Sequence, residues 1–455
     1  MILILTLIDW ILFVPLALCV AYLLVYAIAS KFYRAPHYPE ADKLHRIAVF
    51  FPAYREDKVI IDSVRSFLEQ DYPKEMYDVY VISDHMQDST NKALSRLPIR
   101  LLVATYEDSS KAKALLLAIS TIEEDGKAKG LGNRQLAFMY DIAVVMDADN
   151  VTVPGFLSEV NRAYSAGVQA MQAHRTGKNL NTDIALLDGV SEEINNGFFR
   201  SGHNALGLSA GLAGSGMAFD YFWYYDAVQS LETAGEDKEL ELTLLECGMH
   251  TVYLEHLPVY DEKTQKKENI KNQRRRWMAA QFGILCEGLS FIKSVKQMEG
   301  WWRWWPSFDL VDKIIQWMLP PRLVQLVAVF GFTLLTTLVY RPAASKWWIL
   351  SAAQVAALFI PVPARLLNGR LLKALMQVPS LALGTIASLF HLKGANKKFI
   401  HTEHGERYGL PQIYTGLYRV TQRIYFLRDT RERETEAPCK SVVTPVNRTL
   451  PAAKP

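Results

Sequence analysis

Two aspartates, Asp147 and Asp149, are separated by a single residue after an apolar run, and their carboxylates could bind a metal ion. The run IAVVMD at 142–147 is continuously apolar up to Asp147, which is typical of a buried parallel strand. Side chains two positions apart in an extended segment share a face. Carboxylate oxygens suit Mg²⁺ or Mn²⁺, which take their remaining ligands from water and substrate phosphates. A simple turn rich in Asp and Asn is the alternative, and the preceding strand favours the metal hypothesis.

Strand and helix patterns alternate through residues 45–290, the segment that must position these aspartates. Four apolar runs predict strands, at 47–54, 79–84, 99–104 and 142–147, with helical patterns after the first and third. This alternation predicts an α/β domain with a doubly wound, mostly parallel sheet, whose ligands bind at the carboxyl ends of the strands. Neither GxGxxG nor GxxxxGK[ST] occurs, which argues against a dinucleotide-binding Rossmann domain and a P-loop.

Apolar segments flank this domain. Residues 1–30 contain a run with Asp9 as its single charge, which predicts a transmembrane helix; a signal peptide would be shorter and begin with basic residues. Lys31 and Arg34 follow the run, so we expect the domain to be cytoplasmic and the protein to lie in the plasma (inner) membrane.

The C-terminal part predicts further membrane segments. Residues 291–320 are predicted to form amphipathic interface helices, with Leu310, Ile314, Ile315 and Met318 on one face. The membrane region 321–393 contains two predicted spans, 322–340 and 347–363, and a segment, 374–392, that is interfacial or spanning. The tail, 430–455, has the composition of a disordered segment.

Composition limits the function classes. Among 455 residues, 50% are hydrophobic, and 50 Lys+Arg nearly balance 47 Asp+Glu, for a net charge of +3. The hydrophobic content excludes a disordered chain, and the balanced charge argues against a nucleic-acid partner.

An ordered set of motifs runs through the chain: PAYRE at 52–56, Asp84, Lys111, DAD at 147–149, GSG at 214–216, Glu236-Asp237 and QRRRW at 273–277. This set resembles that of the family 2 inverting glycosyltransferases with a GT-A fold. It is most similar to their membrane-embedded branch, which contains cellulose, hyaluronan and poly-N-acetylglucosamine synthases. The resemblance covers about residues 45–290 and implies a nucleotide-sugar-binding GT-A domain.

The resemblance implies a role for each matching residue. The donor-binding residues it implies are Pro52, Tyr54, Glu56, Asp84, Lys111 (with Lys113 as the near alternative), Asp147 and Arg276. It implies that Asp147 and Asp149 bind Mg²⁺ or Mn²⁺, with Asp149 favoured as the direct ligand. The acceptor-binding residues it implies are Gly214, Ser215, Gly216, Gln273 and Trp277.

Asp237 matches the general base of the family, which would take a proton from the attacking hydroxyl. An alternative is that Glu236 and Asp237 only begin a helix at 237–247, where carboxylates are favourable. Likewise, Lys111 could lie on a solvated helix face and GSG could be a plain turn. The segment 394–429 contains KFIHTEH at 398–404, which resembles the FxVTxK gating loop of cellulose synthases; Phe399 and Thr402 agree, whereas His401 and His404 depart from it.

The sequence therefore predicts a membrane-bound, metal-dependent, inverting hexosyltransferase. Its expected substrates are a nucleotide sugar, with a UDP-sugar favoured by the resemblance, and a growing polysaccharide that receives a β-linkage. The alternative is transfer of one sugar to a lipid-linked acceptor. A catalytically inactive sugar-binding scaffold is a different class, which the full set of motifs disfavours. Membrane lipids are expected partners, and the sequence identifies no export partner.

Overall fold

The computed structural model describes residues 2–231, 235–265, 278, 281, 283–290 and 308–389. The strands are β1 Ile47–Tyr54, β2 Tyr77–Asp84, β3 Arg100–Ala104, β4 Ile142–Val145, β5 Val151–Thr152, β6 Ala170–Gly177, β7 Met217–Asp220 and β8 Thr251–Asp261. The helices of the sheet domain are α2 Ile60–Phe67, α3 Asp88–Leu94, α4 Lys111–Ala128, α5 Asn133–Leu136, α6 Phe156–Ser165, α7 Asp183–Asn196, α8 Gly202–Ala205, α9 Tyr221–Gln229 and α10 Glu236–Glu246. The remaining helices are α1 Ile2–Ser30, α11 Phe308–Met318, α12 Arg322–Val339, α13 Arg341–Phe359, α14 Gly369–Ala374 and α15 Val378–Leu389.

The eight strands form one sheet in the order β3-β2-β1-β4-β7-β6-β8-β5. The pairs β1–β2, β2–β3, β1–β4 and β6–β8 are parallel, as the sequence predicted for the first four strands. The pairs β4–β7, β6–β7 and β5–β8 are antiparallel. Within the described residues the sheet is therefore mixed, with more parallel than antiparallel pairs, and each antiparallel pair includes a strand after β4 that the sequence did not predict.

Alternating side chains of the central strands are buried on opposite faces of the sheet. Phe50 packs in a core with residues of α4 and α9, including Leu115 and Tyr224. Its neighbour Phe51 contacts Phe67 of α2 on the other face. This period of two, with helices on both sides, explains why β1 reads as a continuous apolar run.

Two described helices are long and apolar enough to cross a membrane, Leu3–Ser30 within α1 and Arg322–Val339, which is α12. The single charge of α1 is paired, because Asp9 accepts a hydrogen bond from Trp347 Nε1 of α13 at 2.7 Å and forms an ion pair with Lys346. The helices of this region also reach the sheet domain. Val190 of α7 packs in one cluster with Leu23 of α1.

Helix α11 buries a different set of residues from the predicted apolar face. Leu310, Ile314 and Trp317 are buried against α10, whereas Ile315 and Met318 are 43% and 62% exposed. The helix thus has one apolar stripe that packs against the sheet domain and a second that is exposed. Trp317 closes the inner stripe in place of the predicted Met318, because i, i+4 and i+7 lie on one helical face.

Candidate active site

A cavity of about 730 Å³ lies at the carboxyl ends of β1, β2 and β4. Nine of the residues singled out from the sequence line it: Pro52, Tyr54, Glu56, Asp84, Lys111, Asp147, Asp149, Gly214 and Asp237. Tyr54, Asp84 and Asp147 meet because parallel strands end at the same edge of a sheet, and the cavity also collects Lys111, Gly214 and Asp237 from helices and a loop.

The ends of β1 and β2 turn through left-handed residues. Arg55, with φ 55°, follows Tyr54, and His85, with φ 54°, follows Asp84. The Arg55 backbone N–H donates to the Asp84 carbonyl at 3.1 Å, which ties the two strand ends together. Positive φ is costly for residues other than glycine, and such residues concentrate at functional sites. Asp84 itself is buried, with Oδ1 2.6 Å from His85 Nδ1.

Lys111 begins α4 and directs its ammonium group into the cavity. The helix is capped by Ser110, whose hydroxyl accepts from the Lys113 backbone N–H. Lys111 Nζ lies 2.6 Å from Asp147 Oδ1 and 3.3 Å from Glu236 Oε1. Burial alone would lower the pKa of Lys111, but Asp147 and Glu236 outweigh it and raise the pKa, so the lysine stays charged. Lys113, the alternative, is exposed and donates to the Asp108 carbonyl.

The two aspartates after β4 have different surroundings. The Asp147 side chain is 35% exposed, and its pKa is lowered because Lys111 and Arg175 outweigh the effect of burial. Asp149 is buried, and its Oδ2 accepts the Glu262 backbone N–H at 2.6 Å. Two cavity-lining carboxylates fit a hard divalent cation that takes its other ligands from substrate phosphates and water. No group of three or more His, Cys, Asp or Glu side chains suited to a metal occurs in the described part of the chain.

The predicted acceptor loop is only partly at the cavity. Gly214, with φ 84°, lines it, and its carbonyl accepts from Lys111 Nζ. Ser215 is fully buried and Gly216 packs near Val259, so neither lines the cavity. A contact of Ser215 or Gly216 with an acceptor stays a prediction.

Glu236 and Asp237 form the first turn of α10, where the sequence also allowed a purely structural role. Asp237 is half-buried and lines the cavity. Glu236 is buried, and its pKa is raised by burial and by the nearby Asp237 and Asp147, although Lys111 opposes the rise. A carboxylate whose pKa is raised is a better proton acceptor, so Glu236 is a second candidate base, a role that the sequence motif had given only to Asp237.

Several charged residues of the cavity were missed, among them Arg175 of β6, Asp261 at the end of β8 and Glu192 of α7. Arg175 Nε lies 3.2 Å from Asp261 Oδ2, and its Nη2 lies 3.8 Å from Glu192 Oε2. Its Nη1 donates to the Ala213 carbonyl at 2.6 Å, which holds the loop before Gly214. Asp261 follows the rule that found Asp84, a polar residue at a strand end, but β8 had not been recognised as a strand.

Gln273, Arg276 and Trp277 lie outside the described residues, as does the segment 398–404 with His404. Their roles at the diphosphate, the acceptor and a gate stay predictions.

Comparison with known proteins places this geometry in a class. A family model described as Glycosyltransferase like family 2 matches residues 45–280, more than half of the chain. The chain therefore belongs to that family. No curated protein sequence matches it significantly.

Comparison with solved structures identifies proteins with a similar fold. A mannosyltransferase from Pyrobaculum calidifontis, in complex with GDP-Man and Mn²⁺, has a TM-score of 0.52 at 14% identity, over 83% of this chain and 99% of that chain. S. aureus TarS 1-349 in complex with UDP-GlcNAc has a TM-score of 0.36 at 15% identity, over 76% and 90%. Glucosyl-3-phosphoglycerate synthase from Mycobacterium tuberculosis, with Mn²⁺, UDP and phosphoglyceric acid, has a TM-score of 0.36 at 15% identity, over 55% and 84%. Together with the family match, the first of these likenesses confirms the predicted GT-A-type fold.

Proposed function

We propose that this protein is a membrane-bound, inverting glycosyltransferase that moves a sugar from a nucleotide sugar to an acceptor hydroxyl. The observation that carries the proposal is the convergence of Asp84, Lys111, Asp147 and Asp237 on one cavity at the strand ends. The family match and the Mn²⁺ and GDP-Man of the mannosyltransferase structure support it.

In this proposal the nucleoside lies at the ends of β1 and β2, against Tyr54, Glu56 and Asp84. Lys111 faces the diphosphate and stabilises the negative charge that grows on it as the glycosidic bond breaks. Asp237 accepts the proton of the acceptor hydroxyl as that oxygen attacks the anomeric carbon. One displacement inverts the anomeric centre, so an α-linked donor gives a β-linked product.

A divalent cation fits the carboxylates of Asp147 and Asp149, and when bound it supplies positive charge to the departing diphosphate. Asp147 is the more accessible of the two, so we propose that it contacts the cation together with Asp149. Lys111 and Arg175 lower the pKa of Asp147, which favours the carboxylate form that a cation requires. Mg²⁺ and Mn²⁺ both suit oxygen ligands, and the chemistry of the site does not select between them.

The membrane assignment rests on α1 and α12, and we propose that the sheet domain faces the cytoplasm because Lys31 and Arg34 follow α1. The predicted relation to the membrane-embedded polysaccharide synthases and the growing polysaccharide as acceptor stay predictions. A lipid-linked acceptor is the second candidate, and the apolar side chains of α12, α13 and α15 that line the cavity favour it.

The proposal is tested by measuring the release of nucleoside diphosphate from UDP- and GDP-sugars by the purified protein in the presence of Mg²⁺ or Mn²⁺. Asp237→Asn is expected to lower turnover by about 10²–10⁴-fold, the usual contribution of a general base, while donor binding measured by calorimetry persists. Glu239→Gln, on the same helix but away from the cavity, is the matched control. Full activity of Asp237→Asn would exclude Asp237 as the base, and Glu236→Gln would then test its neighbour. Absence of donor binding would refute the proposed function.

A further inference from the structure

The cavity continues beyond the polar strand ends into a second part with a different lining. We call this part the apolar channel and define it by six residues: Leu323, Leu326 and Phe330 of α12, Val355 and Leu358 of α13, and Leu381 of α15. All six have hydrocarbon side chains, and all line the same cavity as Asp147 and Asp237. A charged site and an apolar channel therefore form one continuous space.

The apolar channel lies among helices that the proposed membrane arrangement places in the bilayer. Among the described residues, helix α12 is one of two helices long and apolar enough to cross a membrane, and Leu23 of the other, α1, also lines the cavity. A hydrocarbon chain held in the bilayer can thus extend along apolar side chains to the edge of the charged site.

The chemistry of the channel selects among acceptors. A sugar polymer would bring many hydroxyl groups, and a buried hydroxyl needs a hydrogen-bonding partner. The six side chains of the channel have no hydrogen-bonding groups. A hydrocarbon chain needs none and gains by leaving water, so it matches the lining where a polysaccharide does not.

A cation stands where the two parts of the cavity meet. Arg322 is the first residue of α12, one turn before Leu326, and it lines the cavity. Its Nη2 donates to Ser191 Oγ at 3.0 Å, and its guanidinium lies 5.8 Å from the centre of the Phe198 ring. A guanidinium at the boundary of an apolar channel suits a phosphate group, which it can bind with two parallel hydrogen bonds.

We propose that the acceptor is a sugar joined through phosphate to a long hydrocarbon chain. The chain occupies the apolar channel, the phosphate lies at Arg322, and the sugar reaches the strand ends. This inference rests on the proposed function. A hydroxyl oxygen of the acceptor sugar forms the new bond to the anomeric carbon and gives its proton to Asp237. The bond from that carbon to the donor diphosphate breaks, and its electron pair leaves with the nucleoside diphosphate.

The test uses a photoactivatable hexadecyl phosphate, with a diazirine on its chain, and the full-length protein in detergent. Crosslinked peptides are located by mass spectrometry, and unlabelled hexadecyl phosphate and butyl phosphate compete. We expect crosslinks to the channel residues of α12, α13 and α15. Hexadecyl phosphate should compete at least about tenfold better than butyl phosphate, because the longer chain buries more apolar surface.

Leu326→Trp fills the channel and is expected to reduce crosslinking about tenfold. The control is Leu334→Trp, on the same helix but 61% exposed and away from the cavity, which should leave crosslinking unchanged. Arg322→Gln is the second variant. It should reduce competition by hexadecyl phosphate but not by hexadecanol, because only the phosphate needs the guanidinium.

Equal effects of the two tryptophan variants would overturn the inference. So would equal competition by butyl and hexadecyl phosphate, or competition by dioleoyl phosphatidylcholine as strong as by hexadecyl phosphate. The last outcome would mean a site for bulk membrane lipid. Nucleotide-sugar binding, measured by calorimetry on the same preparation, separates this inference from the proposed function. Donor binding without channel labelling refutes the lipid acceptor alone, whereas labelling without donor binding refutes the transferase.

Discussion

Glu241 holds in place the helix that carries the candidate base Asp237, so its replacement should destabilise this part of the fold. It lies one turn after Asp237 on α10 and is 2% exposed. Its Oε1 accepts from Lys313 Nζ of α11 and from the Leu212 backbone N–H, each at 3.1 Å, and its Oε2 accepts from Lys238 Nζ at 3.0 Å. One side chain thus joins α10, α11 and the loop that leads to Gly214, and Glu241→Gln should loosen all three.

The expected loss of stability follows from the pKa of Glu241. Burial alone would raise this pKa, but Lys238 and Lys313 outweigh it and lower it from 4.5 to about 2. A difference of about 2.5 pKa units corresponds to about 3 kcal/mol of folding free energy. Because the folded-state pKa is the lower one, this stability is present above about pH 4.5 and is lost as the pH falls toward about 2.

Urea unfolding of the purified protein in detergent, followed by tryptophan fluorescence, measures the effect. We expect Glu241→Gln to cost about 3 kcal/mol at neutral pH and progressively less below about pH 4.5. The control is Glu123→Gln, because Glu123 pairs with Lys127 on the surface of α4 and should cost less than about 1 kcal/mol. An equal cost of Glu241→Gln at neutral pH and at about pH 3 would refute the electrostatic reasoning.

Two further substitutions test the catalytic contribution of Lys111 and the packing of α8 against α1. Lys111→Met should lower the rate of nucleoside diphosphate release by about a hundredfold, because it removes the cation beside Asp147 and Glu236, whereas the exposed Lys113→Met should change it little. Gly202→Ala should destabilise the fold by about 1–3 kcal/mol, since an added methyl group would lie 2.5 Å from the Tyr26 carbonyl oxygen of α1. Gly331→Ala, which meets open space on α12, is its control in the same unfolding assay. Unchanged release by Lys111→Met, or equal stability of the two alanine variants, would contradict these expectations.

The predictable part of the fold is the part whose strands are continuously apolar. Strand β1 was predicted with its observed ends, 47–54, because both of its faces are buried under helices. Strands β6 and β8 were missed because polar residues such as Arg175 and Glu255 interrupt their apolar patterns. The site followed the same division, since Asp84 and Asp147 end predicted strands, whereas Arg175 lies on a missed one.

Local pattern also could not separate two faces of one helix. The sequence of α11 is apolar enough for both a membrane and a protein surface, and only the position of α10 decides that Trp317 is buried while Met318 is exposed. Similarly, the continuity between the charged site and the apolar channel joins residues more than two hundred positions apart, such as Asp147 and Leu358. No spacing rule connects such distant segments.

The pairing of Asp9 with Trp347 bears on how the protein is synthesised. The two residues are 338 positions apart, so the ribosome completes α1 and the whole sheet domain before the partner on α13 exists. In the proposed topology the nascent α1 enters the bilayer before Lys346, which neutralises the Asp9 carboxylate in the folded protein, has been synthesised. A chain truncated before α13 would keep that unneutralised carboxylate, a mark by which cellular quality control could recognise it as incomplete. Asp9→Asn should therefore lengthen the lifetime of truncated chains in the membrane, while the finished protein loses the ion pair with Lys346.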